Sequence, residues 1–283
     1  MLLYIIFIYL FYTINCEGWS YNDKANWASS FPQCGGQLQS PINIDKRTVR
    51  YAPFGFFIDN YDRTYNLRVQ NNGDTAVLTF ANTGGNRPSL QFDDHKYNSP
   101  RYILENVHVH WGKSYLQGSE HSIDNQFAAA ELHFVHYNQK YGNFQDAVTQ
   151  SDGLVVASVL MALTYNPNNN LDWLIGAVKH INPYNSTVYI SSNSNFYLDN
   201  LLPRDRRSVF RYRGSLTTPP CYESVTWLVF ETPINICRDQ LNQFRQLREK
   251  STNNESGHPL LDNRRSIQSN NDRIVQSSNP KYQ

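Results

Sequence analysis

The sequence has no excess of either charge: 25 Lys and Arg stand against 24 Asp and Glu, a formal charge of +1. Its basic residues form no stripe, which argues against nucleic acid as a partner. Long apolar runs are missing beyond the first 18 residues, so no transmembrane segment is expected there. The opening run, MLLYIIFIYLFYTINCEG, is too short to span a bilayer comfortably and reads as a signal peptide over 1–18, cleaved around Cys16 to Gly18, although it lacks the usual leading Lys or Arg; an uncleaved anchor is the alternative. The C-terminus, NNDRIVQSSNPKYQ, has no apolar tail of the kind that precedes a lipid anchor. Repeats and linkers are also absent. The expectation is one secreted, soluble domain over 19–268, followed by a polar tail at 269–283, where Ser, Asn and Gln dominate.

Cysteine is scarce as well, with four residues. Cys16 falls in the signal peptide, which leaves Cys34, Cys221 and Cys237 for an oxidising compartment and one expected pair. Sequence alone does not choose that pair. The turn-like contexts FPQCGG and TPPCYE favour Cys34 with Cys221, and Cys237 is then a buried thiol or an intermolecular bridge. Two sequons, at Asn185 and Asn254, are consistent with secretion and glycosylation.

Aromatic residues are plentiful, with 19 Tyr and 15 Phe, and they lean the chain towards β-structure. NLRVQ, AVLTF, LQFDD, ENVHVHW, AAELHFVHY, GLVVASVLMAL, STVYI and SVTWLVF read as strands. GLVVASVLMAL and VTWLVF are apolar on both faces, which places them mid-sheet under cover on both sides. Only LDWLIGAVKHI, with Asn170 as its cap, and RDQLNQFRQLREK read as helices. The pattern is mainly β with peripheral helices, and it lacks the strand–helix alternation of a parallel barrel.

ENVHVHWG carries the first chemical signal. Residues two apart on a strand share a face, so Asn106, His108 and His110 point one way. In AAELHFVHY, Glu131, His133, Val135 and Tyr137 share one face, and His136 lies on the other with the core. A lone histidine in a strand is ordinarily a hydrogen-bonded core residue, and His-x-His also opens the metal sites of barrel hydrolases. Side by side, the two strands would bring His108, His110 and His133 together as three neutral imidazoles with a fourth position open, the pattern of a catalytic zinc site. Glu131 and Asn106 could each accept a ring N–H and fix a tautomer. His121, in GSEHS, reads as a buried support. His95, His180 and His258 read as surface residues.

HVHWG, QGSEHSID, AAELHFVHYNQKYG and GSLTTPPCYESVTW, with QSPINI and WSYNDKANW before them, resemble the α-class carbonic anhydrases of extracellular type. The likeness runs from about residue 19 to about 268. It implies a large, mostly antiparallel twisted central sheet. It further implies Zn2+ held by His108, His110 and His133, in a family that is itself the standard example of a three-histidine zinc site. The reaction implied is reversible hydration of carbon dioxide to bicarbonate. Thr217 would orient the attacking oxygen and donate to a buried Glu120, with Thr218 facing the substrate anion. Val135, Val156, Leu216, Val225 and Trp227 match an apolar wall for carbon dioxide, Tyr21 a residue that orders water, and Cys34 with Cys221 the family's disulfide. Asn106 stands where the family usually has Gln.

One feature departs from the family. Its fast members carry a proton-relay His after an Asn-Gly stretch, in the strand region before the first ligand. In FANTGGNRPSLQF that place falls to Gly85 or Asn86, neither of which titrates, with His95 as a more distant substitute. The resemblance thus implies an active but slower enzyme. The competing readings are a matrix or binding protein that keeps the fold without catalysis, and a zinc hydrolase of another fold.

Overall fold

A computed structural model of the protein describes residues 18–82, 86–93, 99–250 and 257–283. Residues 1–17 of the segment read as a signal peptide, with Cys16, and also Gly85, His95 and Asn254, lie outside the described residues. Among the described residues the main sheet has thirteen strands. Ten of them form its continuous path: β1 Arg50–Tyr51, β2 Leu67–Asn71, β3 Ala76–Phe80, β4 Arg101–Trp111, β5 Ala130–Asn138, β6 Leu154–Thr164, β7 Thr187–Ile190, β8 Val209–Gly214, β9 Val225–Phe230 and β10 Gln276–Ser277. Their spatial order is β7-β2-β3-β4-β5-β6-β9-β8-β10-β1. Most neighbours are antiparallel. The exceptions are the parallel pairs β6–β9 and β10–β1, and Ile234–Cys237, which runs parallel to the far half of β6. The fold is therefore mainly β, with the mostly antiparallel central sheet that was expected.

The sheet is buried on both faces by two different cores. Side-chain alternation sends Val107, Val109, Leu132, Phe134, Val155 and Ala157 to one face, where helices α1 (Asp172–Val178) and α2 (Arg238–Arg245) cover them. On the opposite face Val135, Val156, Val225, Trp227 and Tyr212 pack with Ile42 and Ile44 of the QSPINI segment. The long apolar runs β6 and β9 lie at the centre because each contributes to both cores. The histidines of β4 and β5 share the second face, as the period of two requires.

Two expectations are corrected. Asn170 does not cap the first helix: the Asn168 side chain accepts the Asn170 N–H at 3.1 Å and caps the turn that precedes α1. The stretch 269–283 is not a trailing tail. Its β10 pairs with both β8 and β1, and Val275 and Ser277 are buried. Polar side chains hold it down: Arg273 donates to the Gln39 carbonyl and Ser278 to the Arg207 carbonyl. Composition reads such a segment as loose because most of its anchors are hydrogen bonds, with only Val275 and Tyr282 joining the apolar core.

Candidate metal centre

Strand register assembles the site. His133 on β5 lies opposite His108 on β4 and Ser158 on β6, and Glu131 lies opposite His110. Rings from neighbouring strands therefore meet on one face, with centroids 5.0 Å apart for His108–His110, 5.2 Å for His108–His133 and 4.5 Å for His110–His133. One potential ligand atom from each lies within 4.8 Å of the others.

Hydrogen bonds assign the tautomers. Nδ1 of His108 bonds the Asn106 side-chain oxygen at 2.8 Å, and Nδ1 of His110 bonds the Asn263 carbonyl at 2.7 Å. Nε2 of His133 bonds Glu131 Oε1 at 2.7 Å. Each partner only accepts, so each of these nitrogens carries the proton. The lone pairs that remain are Nε2 of His108, Nε2 of His110 and Nδ1 of His133, and they converge. Burial holds the His108 pKa well below its usual value, puts that of His110 at about 4, and lowers that of His133. Three neutral imidazoles at neutral pH, with Nε2 of buried His110 left without a hydrogen-bond partner, make a donor set suited to zinc.

Glu131 is the anchor beneath them. Its Oε1 accepts from His133, His121 and the Ser158 hydroxyl, and its Oε2 from the backbone N–H groups of Glu120 and His121. Burial alone would raise its pKa, but His121 and His133 hold it well below the usual carboxylate range. The second ring nitrogen of His121 bonds the Tyr212 hydroxyl at 2.6 Å, so this histidine is a support with no lone pair to offer a metal. His136 faces the other core, bonded to Tyr61 at 2.6 Å, while His180 and His258 are exposed.

Glu120 is fully buried beside the histidines, its Oε2 3.5 Å from His110 Nε2 and 3.9 Å from His133 Nδ1. Oε1 accepts the Arg265 N–H at 2.7 Å. Burial raises its pKa to about 7, against the opposing pull of His133, the Arg265 N–H and the Thr217 hydroxyl. Thr217 is buried in the loop between β8 and β9, Thr218 is half-buried, and Cys221 in the same loop is bonded to Cys34. Val135, Val156, Val225 and Trp227 are buried in one cluster, with Leu216 against it, and the Trp227 ring lies 4.8 Å from that of His133. Tyr21 is buried in the first described turn, where Glu120 raises its pKa further than burial alone. Cys237 is a buried free thiol.

Three contributors escaped sequence reasoning. Asn263 binds His110 through its carbonyl, accepts the Trp111 N–H through Oδ1, and donates to the carbonyls of Val109 and Asp74. Arg265 ties Glu120 to Gln39, Ser40 and Cys34. Asp74 sits at the entry to β3. No period marks these positions, and each meets the histidines only through the folded chain. Register also separates the two ends of β3. Val77 pairs with His108 and Thr79 with Asn106, so the chain leaving β3 towards exposed Asn86 runs away from His110, and the chain entering β3 lies beside it.

The sequence matches the family described as eukaryotic-type carbonic anhydrase over residues 22–279. It is similar to carbonic anhydrase 15 of Mus musculus, 34% identical over 272 residues, 92% of this chain and 83% of that protein. It is also similar to carbonic anhydrase 6 of Mus musculus, 31% identical over 271 residues (92% and 81%), and to carbonic anhydrase 12 of Homo sapiens, 32% identical over 277 residues (94% and 74%).

Proposed function

The chain belongs to the eukaryotic-type carbonic anhydrase family and is a carbonic anhydrase, and from that premise we infer a zinc-dependent enzyme that hydrates carbon dioxide reversibly to bicarbonate and a proton. The observation that carries the zinc reading is the convergence of three neutral imidazole lone pairs, one of them buried without a partner. Bound there by His108 Nε2, His110 Nε2 and His133 Nδ1, zinc supplies a Lewis acid that brings the pKa of water to about 7, a magnitude known from carbonic anhydrase itself.

The chain's own residues do the rest. Glu120 gives one oxygen to the Arg265 N–H, and its other oxygen, buried without a partner, is the acceptor for the Thr217 hydroxyl when the site is loaded. With its proton so committed, Thr217 has lone pairs left to accept from a reactant that carries a proton, and this aligns the attacking oxygen. Carbon dioxide is apolar, and Val135, Val156, Leu216, Val225 and Trp227 offer it an apolar wall beside the polar centre. Thr218 and the Thr217 N–H face the anion formed. The usual histidine relay has no counterpart at Asn86, so proton release is slow and added imidazole raises turnover.

The Cys34–Cys221 disulfide supports a secreted protein. Asn185 is exposed in a turn, in keeping with glycosylation there. No described helix is long and apolar enough to cross a membrane.

The deciding experiment is stopped-flow hydration on the secreted protein, with zinc content from the same preparation and with imidazole present or absent. One zinc per chain, activity, and a rise with imidazole are expected. Zinc without activity would revive the non-catalytic reading, and no uptake of added zinc would refute the ligand assignment.

A further inference from the structure

Each carbon dioxide hydrated leaves one proton behind (CO2 + H2O → HCO3− + H+), and that proton must reach solvent before the next turnover. A carrier has to be titratable, close to the site and open to water. The histidines on and beneath the site are not free for this: His108, His110 and His133 are the ligands, His121 has both ring nitrogens engaged, and His136 lies in the opposite core.

Asp74 does meet them. It stands between Gly73 and Thr75 in the connection from β2 to β3, and two hydrogen bonds fix its main chain to the site. Its carbonyl accepts from Asn263 Nδ2 at 2.9 Å, and the Asn263 carbonyl accepts from His110 Nδ1 at 2.7 Å. Next to it, the Thr75 hydroxyl donates to the Val109 carbonyl at 2.6 Å and accepts the Val109 N–H at 3.2 Å, and Val109 is the residue between the two ligands of β4. The residue is half-buried, so part of it is open to solvent. Its carboxylate has no hydrogen-bond or ion-pair partner among the described residues, in contrast to that of Glu131, which five donors hold, and unlike Glu120 it is not sealed from water.

One charged group acts on it, and it acts in turn on one titratable group. Lys250, beyond the end of α2, draws its pKa down but less than burial drives it up, which leaves Asp74 at about 6. Tyr21, on the N-terminal segment, is raised by both Glu120 and Asp74, which puts the three in one electrostatic neighbourhood.

We propose that Asp74 is this enzyme's proton carrier: its carboxylate takes the product proton from the site by way of intervening water beside Tyr21, and the carboxylic acid so formed releases it to solvent base. This rests on the hydration reading above. At neutral pH the carboxylate is mostly ionised and ready to accept. Accepting from a donor near pKa 7 is uphill by about one pKa unit, or about tenfold. An imidazole of pKa about 6.5 is the better match. Asp74 therefore sustains turnover below the rate a histidine would give, and still leaves room for imidazole to help.

The test uses the zinc-loaded full chain, native and as Asp74→Asn and Asp74→His, in a buffer too bulky to enter the site. At about pH 7.5 Asp74→Asn is expected to lower kcat about tenfold and leave kcat/KM within about twofold, with imidazole restoring kcat. Asp74→His is expected to raise kcat above native. Buffer-limited kcat of the native chain should also fall as pH drops through about 6, where the carboxylate protonates, and Asp74→Asn should lack that step. Unchanged kcat in Asp74→Asn would overturn the proposal. A parallel loss of kcat and kcat/KM would also overturn it, as a structural effect. A native chain that binds zinc but hydrates no carbon dioxide would refute the hydration reading itself, and the carrier with it.

Discussion

Glu131 gathers five donors onto one buried carboxylate: two imidazoles, a serine hydroxyl and two backbone N–H groups. An amide there would turn a donor towards Ser158, His121 or His133 and release the His133 tautomer. Glu131→Gln is expected to weaken zinc binding by about 10- to 100-fold, read by competition with a chelator, and to lower Tm as well. Thr217 poses a narrower question. Thr217→Val keeps the shape and removes the hydroxyl, so zinc content should stay at one per chain while kcat/KM falls by about a hundredfold or more. The pair of experiments separates a residue that holds the metal's ligands from one that orients what reacts.

Elements explain why part of the site is legible in the sequence and part is not. His108, His110 and His133 lie on strands, where the period of two fixes the face, and Asn106 and Glu131 follow because they are two residues from a ligand. Asn263, Arg265 and Asp74 lie in connections, where no period relates position to direction. The C-terminal segment 269–283 is the plainest case, because its composition reads as loose while it supplies a strand of the main sheet. Its last turn also neutralises Glu231, which accepts from Tyr282 and Ser208 and pairs with Lys281 at 2.9 Å and Lys46 at 3.2 Å. Burial opposes ionisation of Glu231, yet these partners hold its pKa at about 2. A pKa below the ordinary 4.5 contributes stability that is fully present above about pH 4.5 and is lost as pH falls through about 2. Glu231→Gln should flatten the acid limb of a stability–pH curve in that window. Deletion of 269–283 should lower Tm at neutral pH, since it removes β10 and uncovers Phe210 and Val49.

At the scale of the whole molecule, the disulfide joins residues 187 apart. In the chain-entropy model, whose mechanism is disputed, closing such a loop stabilises the fold by about 5 kcal/mol. Denaturant titration of Cys34→Ser/Cys221→Ser should find most of that loss, with lower activity because the Thr217 loop is no longer tethered. The other long-range closure is not covalent. Asn263 and Arg265, near the end of the chain, orient His110 and Glu120, which precede them by 153 and 145 residues. During synthesis the three histidines therefore emerge well before the groups that set one ring and the buried carboxylate. A nascent chain presents imidazoles without a finished coordination geometry, so metal capture belongs to the completed polypeptide. A premature stop before residue 263 should yield a chain that neither folds fully nor retains its metal.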